Sequence, residues 1–361
     1  MNAPVRFALI GTGWRAEFFT RIARALPERF EITGCYSRTA ESRTRFCQAW
    51  GLTACEGVDA LLAAKPEFVV TSVPWAVSGP LILELATKGA AVLGETPPAE
   101  KIEDMTRLWQ SLLAGTRVQI AEQYPFQPHH AARLALAASG RLGTITQAQV
   151  SAAHGYHGMV LIRRFLGIGF EPAEVSALEF KSPLVQGRGR EPGTESEKLM
   201  ESRQVIAHLR FGDKLGVHDF TGEQYFSPVR SQRLLVRGER GEINNLDAAY
   251  LADFKTPVPI RFERQDAGHG GNLEGQHLKG YVAGGEWWYR NPFAPARLFD
   301  DEIAVASCLD AMGTYVRTGQ SFYSLAEACQ DHYLANLIEQ SIAEGKAVKT
   351  TPQIWMRERE F

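Results

Sequence analysis

The sequence has few cysteines, no long apolar run and almost no net charge. Its five cysteines in 361 residues are odd in number and lack metal-ligand spacing, so we expect reduced packing residues and no metal site. No apolar stretch approaches the roughly 20 residues that a membrane span needs. A formal net charge of −2 offers no attraction to nucleic acid or to a membrane surface. No internal repeat or low-complexity tract is present.

The remaining composition is that of a soluble globular protein, with 45% hydrophobic and 22% charged residues. A chain of 361 residues is too long for one ordinary hydrophobic core, so two domains are expected. Its first residues, MNAPVRFALIGTG, carry a strand pattern rather than a signal peptide. We therefore expect a cytoplasmic protein.

Residues 6–19, RFALIGTGWRAEFF, join a buried strand pattern to a helix pattern through a glycine-rich turn. Gly11 permits the tight turn, Gly13 lets a pyrophosphate approach the backbone, and Ala16 lets the helix pack close to the strand. The helix N-terminus then presents free N–H groups to the phosphates. This context predicts a dinucleotide site.

Strand and helix patterns alternate up to Tyr124, which predicts a doubly wound parallel sheet, a Rossmann domain over residues 1–124. In such a sheet the ligand lies beyond the carboxyl ends of the strands. Five strand ends should therefore converge on one cleft: residues 11–14, 37–38, 73–75, 94–97 and 122–124.

Strand patterns dominate residues 125–361, with a hairpin signature at Gly212-Asp213-Lys214. This half is predicted to be an α+β domain with a mostly antiparallel sheet flanked by helices, and with C-terminal helices packing back toward the Rossmann domain. The glycine-rich segment 268–288 is either a substrate lid or ordinary surface.

With these segments placed, the chain resembles the Gfo/Idh/MocA family of oxidoreductases. The resemblance implies an NAD(P) cofactor, an open sheet in the second domain, and a homo-oligomer, dimer or tetramer. It rests on four places that span nearly the whole chain: Gly11-Thr12-Gly13; Gly94-Glu95-Thr96-Pro97, at the family's Glu-Lys-Pro motif; His157 with Arg163 and Leu166-Gly167; and a tail that includes Tyr315 to Gly319 and Tyr323 to Ala328.

Two departures from the family pattern concern the chemistry. The lysine that family dehydrogenases use to help a substrate hydroxyl lose its proton is replaced by Thr96. A threonine hydroxyl forms hydrogen bonds but brings no positive charge to lower the pKa of an alcohol. The aspartate four residues before the family histidine is replaced by Ala153. The usual dehydrogenase constellation is therefore incomplete.

The NAD-dependent glycosidases of this superfamily also lack the lysine. Their segment after the sixth strand resembles Glu122-Gln123-Tyr124, and their Tyr/His pair three residues apart resembles His154 and His157. In these relatives hydride removal makes a ketone, the neighbouring C–H is acidified, the substituent leaves by elimination, water adds, and the hydride returns. The resemblance thus implies a redox-neutral glycosidase as one reading of the chain.

The candidate catalytic residues are His157, Tyr124, His154 and Glu95. Histidine has an unperturbed pKa near neutral, so His157 can take a hydroxyl proton and return it. Tyr124, at a strand end, is a candidate acid or substrate contact, and Glu95 a candidate partner of a sugar hydroxyl. The alternatives are a buried structural histidine, surface polarity at His154 and Tyr156, a packing tyrosine, and a glutamate that orders its turn.

The expected cofactor contacts follow from the strand ends. The second strand ends in Ser37-Arg38 instead of the acidic residue that binds the ribose of NAD, which favours NADP slightly without excluding NAD. The full set is Gly11, Thr12, Gly13, Trp14, Arg15, Ser37, Arg38, Thr39, Val73, Pro74, Trp75, Glu95, Thr96 and Glu122.

The candidate substrate contacts are Thr96, Tyr156, Arg164, Trp287 and Trp288, with stacking of an aromatic on a sugar face weighed against ordinary core packing. The predicted ligand is a small sugar or glycoside. Three functions remain open: a redox-neutral glycosidase, a simple NAD(P)-dependent sugar dehydrogenase or reductase, and a catalytically silent NAD(P)-binding sensor.

Overall fold

A parallel sheet flanked by helices forms the N-terminal part of the chain. The computed structural model describes residues 3–189 and 193–356. The five strands lie in the order β2-β1-β3-β4-β5, which confirms the predicted doubly wound sheet. Its elements are β1 (Val5–Ile10), α1 (Trp14–Ala25), β2 (Phe30–Tyr36), α2 (Ala40–Trp50), α3 (Val58–Ala63), β3 (Phe68–Thr71), α4 (Trp75–Thr87), β4 (Val92–Gly94), α5 (Ile102–Ser111) and β5 (Val118–Ile120).

The central strands β1 and β3 of this sheet are apolar except for Arg6 and Thr71. All four residues of β3 are buried, as are five of the six residues of β1. Helices cover both faces of a parallel sheet, so its strands need apolar side chains in both directions. Phe7 of β1 stacks on Phe68 of β3, with ring centroids 5.8 Å apart. The core therefore lies along β1 and β3, whose carboxyl ends support the candidate site.

A larger sheet forms the second part, in the order β13-β12-β11-β10-β6-β9-β8-β7-β17, and is antiparallel except between β6 and β9. A separate sheet has the order β14-β15-β16. The elements are a 3-10 turn (Tyr124–Phe126), α6 (Pro128–Ala138), β6 (Ile145–Ser151), α7 (Gly155–Leu166), β7 (Glu174–Val185), β8 (Leu199–Phe211), β9 (Lys214–Thr221), a second 3-10 turn (Gly222–Tyr225), β10 (Arg233–Gly238), β11 (Gly241–Asn244), β12 (Asp247–Leu251), β13 (Pro257–Arg261), β14 (Glu263–Asp266), β15 (Leu278–Ala283), β16 (Glu286–Arg290), α8 (Asp300–Thr318), α9 (Leu325–Glu344), β17 (Val348–Lys349) and a last 3-10 turn (Ile354–Met356).

The glycine-rich segment 268–288 is only partly irregular. Its second half forms β15 and the start of β16, which pair as a hairpin, so only its first half is a connecting segment. The strand escaped detection because glycines punctuate it: Gly280 lies within β15, and Gly284 and Gly285 form the turn. Residues 267–277 remain as the connection between β14 and β15.

The two sheets are tied together by elements of the C-terminal part. Helix α8 packs against α1 and β1 of the parallel sheet, while α7 and α9 pack against each other. The Gln119 side-chain oxygen on β5 accepts from the backbone N–H groups of Phe322 and Tyr323 at 3.1 and 3.0 Å. All five cysteines are buried free thiols. Among the described residues, no helix is both long and apolar enough to span a bilayer.

Candidate active site

The turn between β1 and α1 forms a cradle for a pyrophosphate. Gly11 has φ +121°, and a Cβ there would overlap the carbonyl oxygen of Ser72. Gly13 is the N-cap of α1 without a side-chain cap, and a Cβ at this position would meet nothing within 4 Å. The start of α1 is therefore open beside Gly13, and an open helix N-terminus leaves room for phosphate groups. These residues fit a dinucleotide.

Three hydroxyl groups meet where the ribose of a dinucleotide is expected. Thr12 Oγ1 lies 2.7 Å from Ser42 Oγ and 3.4 Å from Ser37 Oγ. Behind them the buried Arg43 donates to the Ser37 carbonyl oxygen at 3.1 Å. Arg38 is exposed and forms no ion pair within the described part of the chain. This end of the cleft thus offers hydroxyl donors and the guanidinium of Arg38. No carboxylate follows directly after β2.

Glu95 lies in a partly buried charged cluster at the end of β4. Arg15 places its Nε 3.8 Å from Glu95 Oε1 and its Nη1 3.5 Å from Asp301 Oδ2, so one guanidinium lies between two carboxylates. Burial raises the pKa of Glu95 to about 7, against the opposing effect of Arg15. Glu95 is therefore a carboxyl group that can exist in either protonation state near neutral pH.

Glu122 and His157 form a buried hydrogen-bonded pair. Glu122 is fully buried; its Oε2 lies 2.7 Å from His157 Nδ1, and its Oε1 accepts the Tyr124 backbone N–H at 3.0 Å. Burial raises the pKa of Glu122 to about 8 and lowers that of His157 to about 3. Both shifts disfavour charge, so the pair is uncharged at neutral pH and loses a proton as the pH passes about 8.

Aromatic rings surround His157. The ring centroids of Tyr124 and Tyr156 lie 4.5 and 4.4 Å from that of His157, and His154 lies at 4.9 Å. Helix α7 begins at Gly155, so His154 is its N-cap residue and His157 lies in its first turn. The turn 124–126 brings Tyr124 from the end of β5 to the same place. Three of the four predicted catalytic residues are therefore in contact.

Thr96, at the position of the family lysine, lies beside Tyr156. Its side chain acts by a hydrogen bond on the Tyr156 phenol, whose pKa burial nevertheless raises. The Tyr156 ring also meets Trp75 at 6.4 Å and His332 at 5.5 Å, both edge to face. Trp75 is half-exposed at the start of α4, directly after Pro74. These side chains form a wall beside the His157 cluster.

The sequence of this first domain matches one family. Residues 5–121 fit the Gfo/Idh/MocA oxidoreductase family, described as having an NAD-binding Rossmann fold. This domain belongs to the Gfo/Idh/MocA oxidoreductases. A comparison with curated protein sequences gives no match.

Solved structures of oxidoreductases share the fold of the whole chain. A myo-inositol dehydrogenase from Corynebacterium glutamicum is 20% identical, with a TM-score of 0.64 over 97% of this chain and 100% of that one. An oxidoreductase from Agrobacterium radiobacter, solved with NAD+, L-tartaric acid and magnesium, is 15% identical, with a TM-score of 0.67 over 96% and 98%. A levoglucosan dehydrogenase, solved with NADH and L-sorbose, is 14% identical, with a TM-score of 0.67 over 98% and 100%.

Glu122, a predicted cofactor contact, has the hydrogen-bond partners of its side chain in the second part of the chain. Both of its carboxylate oxygens face the second part of the chain, toward His157 and the start of the turn 124–126. The reason is that β5 ends at Ile120, two residues earlier than the sequence suggests, so the chain has already turned away from the cleft. Glu122 therefore contacts His157.

Three predicted substrate contacts are not brought to the His157 cluster. Arg164 lies two turns further along α7 and is held by Glu327 at 2.8 Å and by the Phe322 carbonyl oxygen at 3.1 Å. Trp287 and Trp288 lie on β16, where Arg290 and Arg141 cover their rings at 4.3 and 4.9 Å. These side chains have arginine or glutamate partners of their own, so their substrate role receives no support.

Other residues at the site have no signal in the sequence. Tyr225, in the turn 222–225, reaches His154 from 71 positions further along the chain. Asp301 reaches Arg15 across 286 positions. Ser42 joins the hydroxyl group cluster from inside α2. No local motif marks these residues, because sheet pairing and helix packing bring them to the site. Within the described residues, no group of three side chains is arranged to hold a metal ion.

Proposed function

We propose that the chain is an NAD(P)-dependent enzyme that moves a hydride to or from a ring carbon of a carbohydrate. The observation that carries this proposal is the hydrogen-bonded pair of Glu122 and His157. The pair lies beside the ring of Tyr124, in a fold whose first glycine-rich turn fits a pyrophosphate. Related folds include a myo-inositol dehydrogenase and a levoglucosan dehydrogenase solved with NADH and L-sorbose, which supports a polyhydroxylated substrate.

The bound nicotinamide would accept or supply the hydride, and His157 would handle the hydroxyl proton. For oxidation, His157 needs an unprotonated Nε2 that faces the substrate hydroxyl and a proton on Nδ1. The Nδ1–H group then donates a hydrogen bond to Glu122, which must be a carboxylate. As Nε2 takes the substrate proton, the carboxylate stabilises the imidazolium. This is the deprotonated form of the pair, so oxidation should become faster as the pH rises toward about 8, the pKa of Glu122.

Tyr124 is suited to donating a proton. Burial raises the pKa of its phenol well above 10, so the hydroxyl keeps its proton at neutral pH. Its ring lies against His157, which places a base and an acid side by side. Thr96 and Tyr156 would orient hydroxyl groups by hydrogen bonds, in a role that requires no charge.

Two enzyme activities fit this arrangement. A dehydrogenase needs one proton-handling group, and it is the usual activity of the fold. A redox-neutral glycosidase needs a base for one oxygen and an acid for the leaving group, and the site has His157 together with the Tyr124–Tyr225–His154 set. The threonine in place of lysine also favours the glycosidase, which is our first choice. The same proton-handling groups argue against a silent sensor.

The cofactor is proposed to be NADP, with a small preference over NAD. Ser37 and the exposed Arg38 follow β2, and Thr12 and Ser42 add hydroxyl groups beside Ser37. Hydroxyl donors and a guanidinium suit a 2′-phosphate through charge-assisted hydrogen bonds, whereas NAD enzymes place a carboxylate there.

Two further proposals concern organisation. We place the boundary between a cofactor domain, 1–124, and a substrate domain, 125–361, at the turn that carries Tyr124. We also propose a homo-oligomer, because one face of β7 exposes apolar side chains: Leu178 is 54% exposed and Phe180 56%. Residues 267–277 are the remaining part of the proposed substrate lid.

A panel of aryl glycosides in deuterated water tests the activity. Leaving-group release with deuterium beside the anomeric carbon, and without net reduced cofactor, is expected of the redox-neutral glycosidase. Accumulation of reduced cofactor without cleavage of the glycosidic bond would replace it with the dehydrogenase. If the protein binds NAD(P) but forms neither product, the sensor is the function that remains. The His157→Ala variant is the control, because it should bind cofactor but form neither product.

A further inference from the structure

Tyr225 connects two of the candidate catalytic residues through its hydroxyl group. The Tyr124 hydroxyl lies 3.3 Å from the Tyr225 hydroxyl, which in turn lies 2.7 Å from His154 Nδ1. The backbone N–H of His154 also donates to the Tyr225 oxygen at 3.0 Å. Tyr225 is held by the turn 222–225, whose capping box uses Thr221 and Gln224. The three side chains thus form a continuous hydrogen-bonded row.

The number of protons in this row allows two arrangements. Tyr225 has a single hydroxyl proton, so it can donate either to His154 Nδ1 or to the Tyr124 oxygen. In the first arrangement Tyr124 donates to Tyr225, and His154 carries its proton on Nε2. In the second His154 donates from Nδ1, and the Tyr124 proton is available to another acceptor. A shift of one proton along each bond converts the first arrangement into the second, provided that His154 Nε2 also loses a proton and the Tyr124 oxygen gains one.

His154 also lines a cavity of about 340 Å³ on the far side of the row. The rim of the cavity reaches the protein surface, because Glu201 and Glu339 line it with side chains that are 64% and 59% exposed. Its polar lining is His154, His218, Glu201, Arg203, Glu223 and Glu339. The buried His218 uses Nε2 toward the Ala153 carbonyl oxygen at 2.9 Å, and no partner is found for its Nδ1 among the described residues. Such a polar, open cavity suits water.

We propose that Tyr225 is a positioning residue that relays protons between Tyr124 and His154, and that His154 exchanges them with water in this cavity. The proposal rests on the proposed function, since it requires Tyr124 to give a proton to a substrate oxygen. It adds an entry route for that proton, separate from the Glu122–His157 pair.

The step is balanced in atoms and charge. The Tyr124 O–H bond breaks as an O–H bond forms on the substrate oxygen. Tyr225 gives its proton to Tyr124, and His154 Nδ1 gives its proton to Tyr225. His154 Nε2 takes a proton from the cavity water, so the imidazole ends neutral in its other tautomer. The net result is one proton moved from water to substrate, and the reverse sequence serves oxidation.

The Tyr225→Phe variant removes the hydroxyl and keeps the ring, which packs edge to face on Phe220 at 5.0 Å. In ¹⁵N-histidine-labelled protein we expect the Nδ1 and Nε2 shifts of His154 to change, with the signal assigned by its absence in His154→Gln. Turnover should fall by roughly 10- to 100-fold, less than the about 10²- to 10⁴-fold of a direct acid. Imidazole buffer should restore it by supplying the proton, while the cofactor dissociation constant stays unchanged.

Two further variants keep the test decisive. Tyr250→Phe loses a phenol contact with Arg141 at 3.4 Å, outside the row, and should change neither the His154 shifts nor the buffer response. The double variant Tyr225→Phe/His154→Gln should be no slower than the slower single variant, because both interrupt one route.

The outcomes separate the relay from the proposed function. If Tyr225→Phe turns over as fast as the wild type, the relay is overturned and the proposed function is not. The same holds if Tyr225→Phe is slower and imidazole does not restore its turnover. Unchanged His154 shifts in Tyr225→Phe would overturn it as well, without any substrate. No wild-type turnover on any sugar, with His154 shifts that do respond to Tyr225→Phe, would overturn the proposed function.

Discussion

Replacing Glu122 with glutamine changes which nitrogen of His157 carries a proton. In the wild type the Tyr124 backbone N–H donates to the Glu122 carboxylate at 3.0 Å, and the amide oxygen of the variant can still accept this hydrogen bond. The amide N–H, however, must point to His157 Nδ1, 2.7 Å from Glu122 Oε2. A donor at Nδ1 fixes the His157 proton on Nε2, the atom that has to take the substrate proton.

The expected loss of activity is that of a missing general base. A positioned base contributes about 10²- to 10⁴-fold to the rate, so turnover in the oxidation direction should fall by that factor, equivalent to about 3 to 5 kcal/mol in the barrier. Cofactor affinity should not change, because Glu122 is fully buried and its carboxylate faces His157.

The same variant should alter how stability depends on pH. Burial raises the pKa of Glu122 from 4.5 to about 8 and lowers that of His157 from 6.5 to about 3. Between pH 4.5 and 6.5 the folded Glu122 holds a proton that the unfolded one has lost, and the unfolded His157 holds one that the folded residue lacks, so the two effects cancel.

Above pH 6.5 only Glu122 differs between the two states, and the folded protein binds the extra proton. Wild-type stability should therefore fall as the pH rises from 6.5 to about 8, by of order 2 kcal/mol. Arg15 moderates this effect and Asp301 strengthens it, since they lower and raise the pKa of Glu122. The glutamine variant has no titratable group at this position, so its free energy of unfolding should not fall over this pH range.

Thermal unfolding midpoints and turnover, measured across that pH window, check both effects. The matched control is Glu84→Gln on the exposed side of α4, which should follow the wild type in both assays. A glutamine variant whose midpoint falls with pH in parallel with the wild type would refute the assignment of the buried proton to Glu122. Wild-type turnover in the variant would refute the role of the pair in setting the His157 tautomer.

The remaining predictions concern the cofactor and the base. Gly13→Val should abolish dinucleotide binding in calorimetry while leaving the midpoint of unfolding unchanged, since a side chain there fills only the open cradle; Gly57→Val, at another open N-cap, should bind normally. Arg38→Ala should weaken NADP binding by about 10- to 100-fold, the worth of a charge-assisted hydrogen bond, and leave NAD binding alone, whereas Arg45→Ala on the following helix α2 should affect neither; equal losses for both cofactors would remove the 2′-phosphate role. His157→Ala should lower turnover by about 10²- to 10⁴-fold at unchanged cofactor affinity, and a loss of cofactor binding instead would show a structural histidine.

The parallel sheet was predictable because its signals are local. Continuous apolar runs mark strands buried on both faces, and caps mark helix ends. Helix α9 spans Leu325–Glu344, because the Ser324 side chain caps it with Glu327 and Gly345 ends it in a left-handed conformation. The short strands of the second part were missed. Strand β13, PVPIR, contains two prolines and lies at the sheet edge, where pairing with β12 alone defines it.

The site was predictable only as far as the family resemblance reached. His154 and His157 were found because they share one helix start, and Tyr124 because it follows a strand end. The partner of His157 was not, since no spacing relates Glu122 to a residue 35 positions later. Tyr225 depends on the pairing of β9 with β6 and β8, which places the turn 222–225 beside His154. Such contacts are properties of the packed sheets.

The most direct test of hydride transfer at a sugar carbon is the passage of deuterium from a ring-deuterated sugar to the cofactor. The protein is incubated with oxidised NAD(P) and a panel of sugars and glycosides deuterated at single ring carbons, and the cofactor is analysed by mass spectrometry. The reaction is quenched within a single turnover, before a redox-neutral enzyme returns the hydride to the sugar. Deuterium should then appear in the cofactor from one ring position, and His157→Ala should suppress the transfer. Cofactor that binds to the cradle but gains no deuterium from any position would contradict the proposed function.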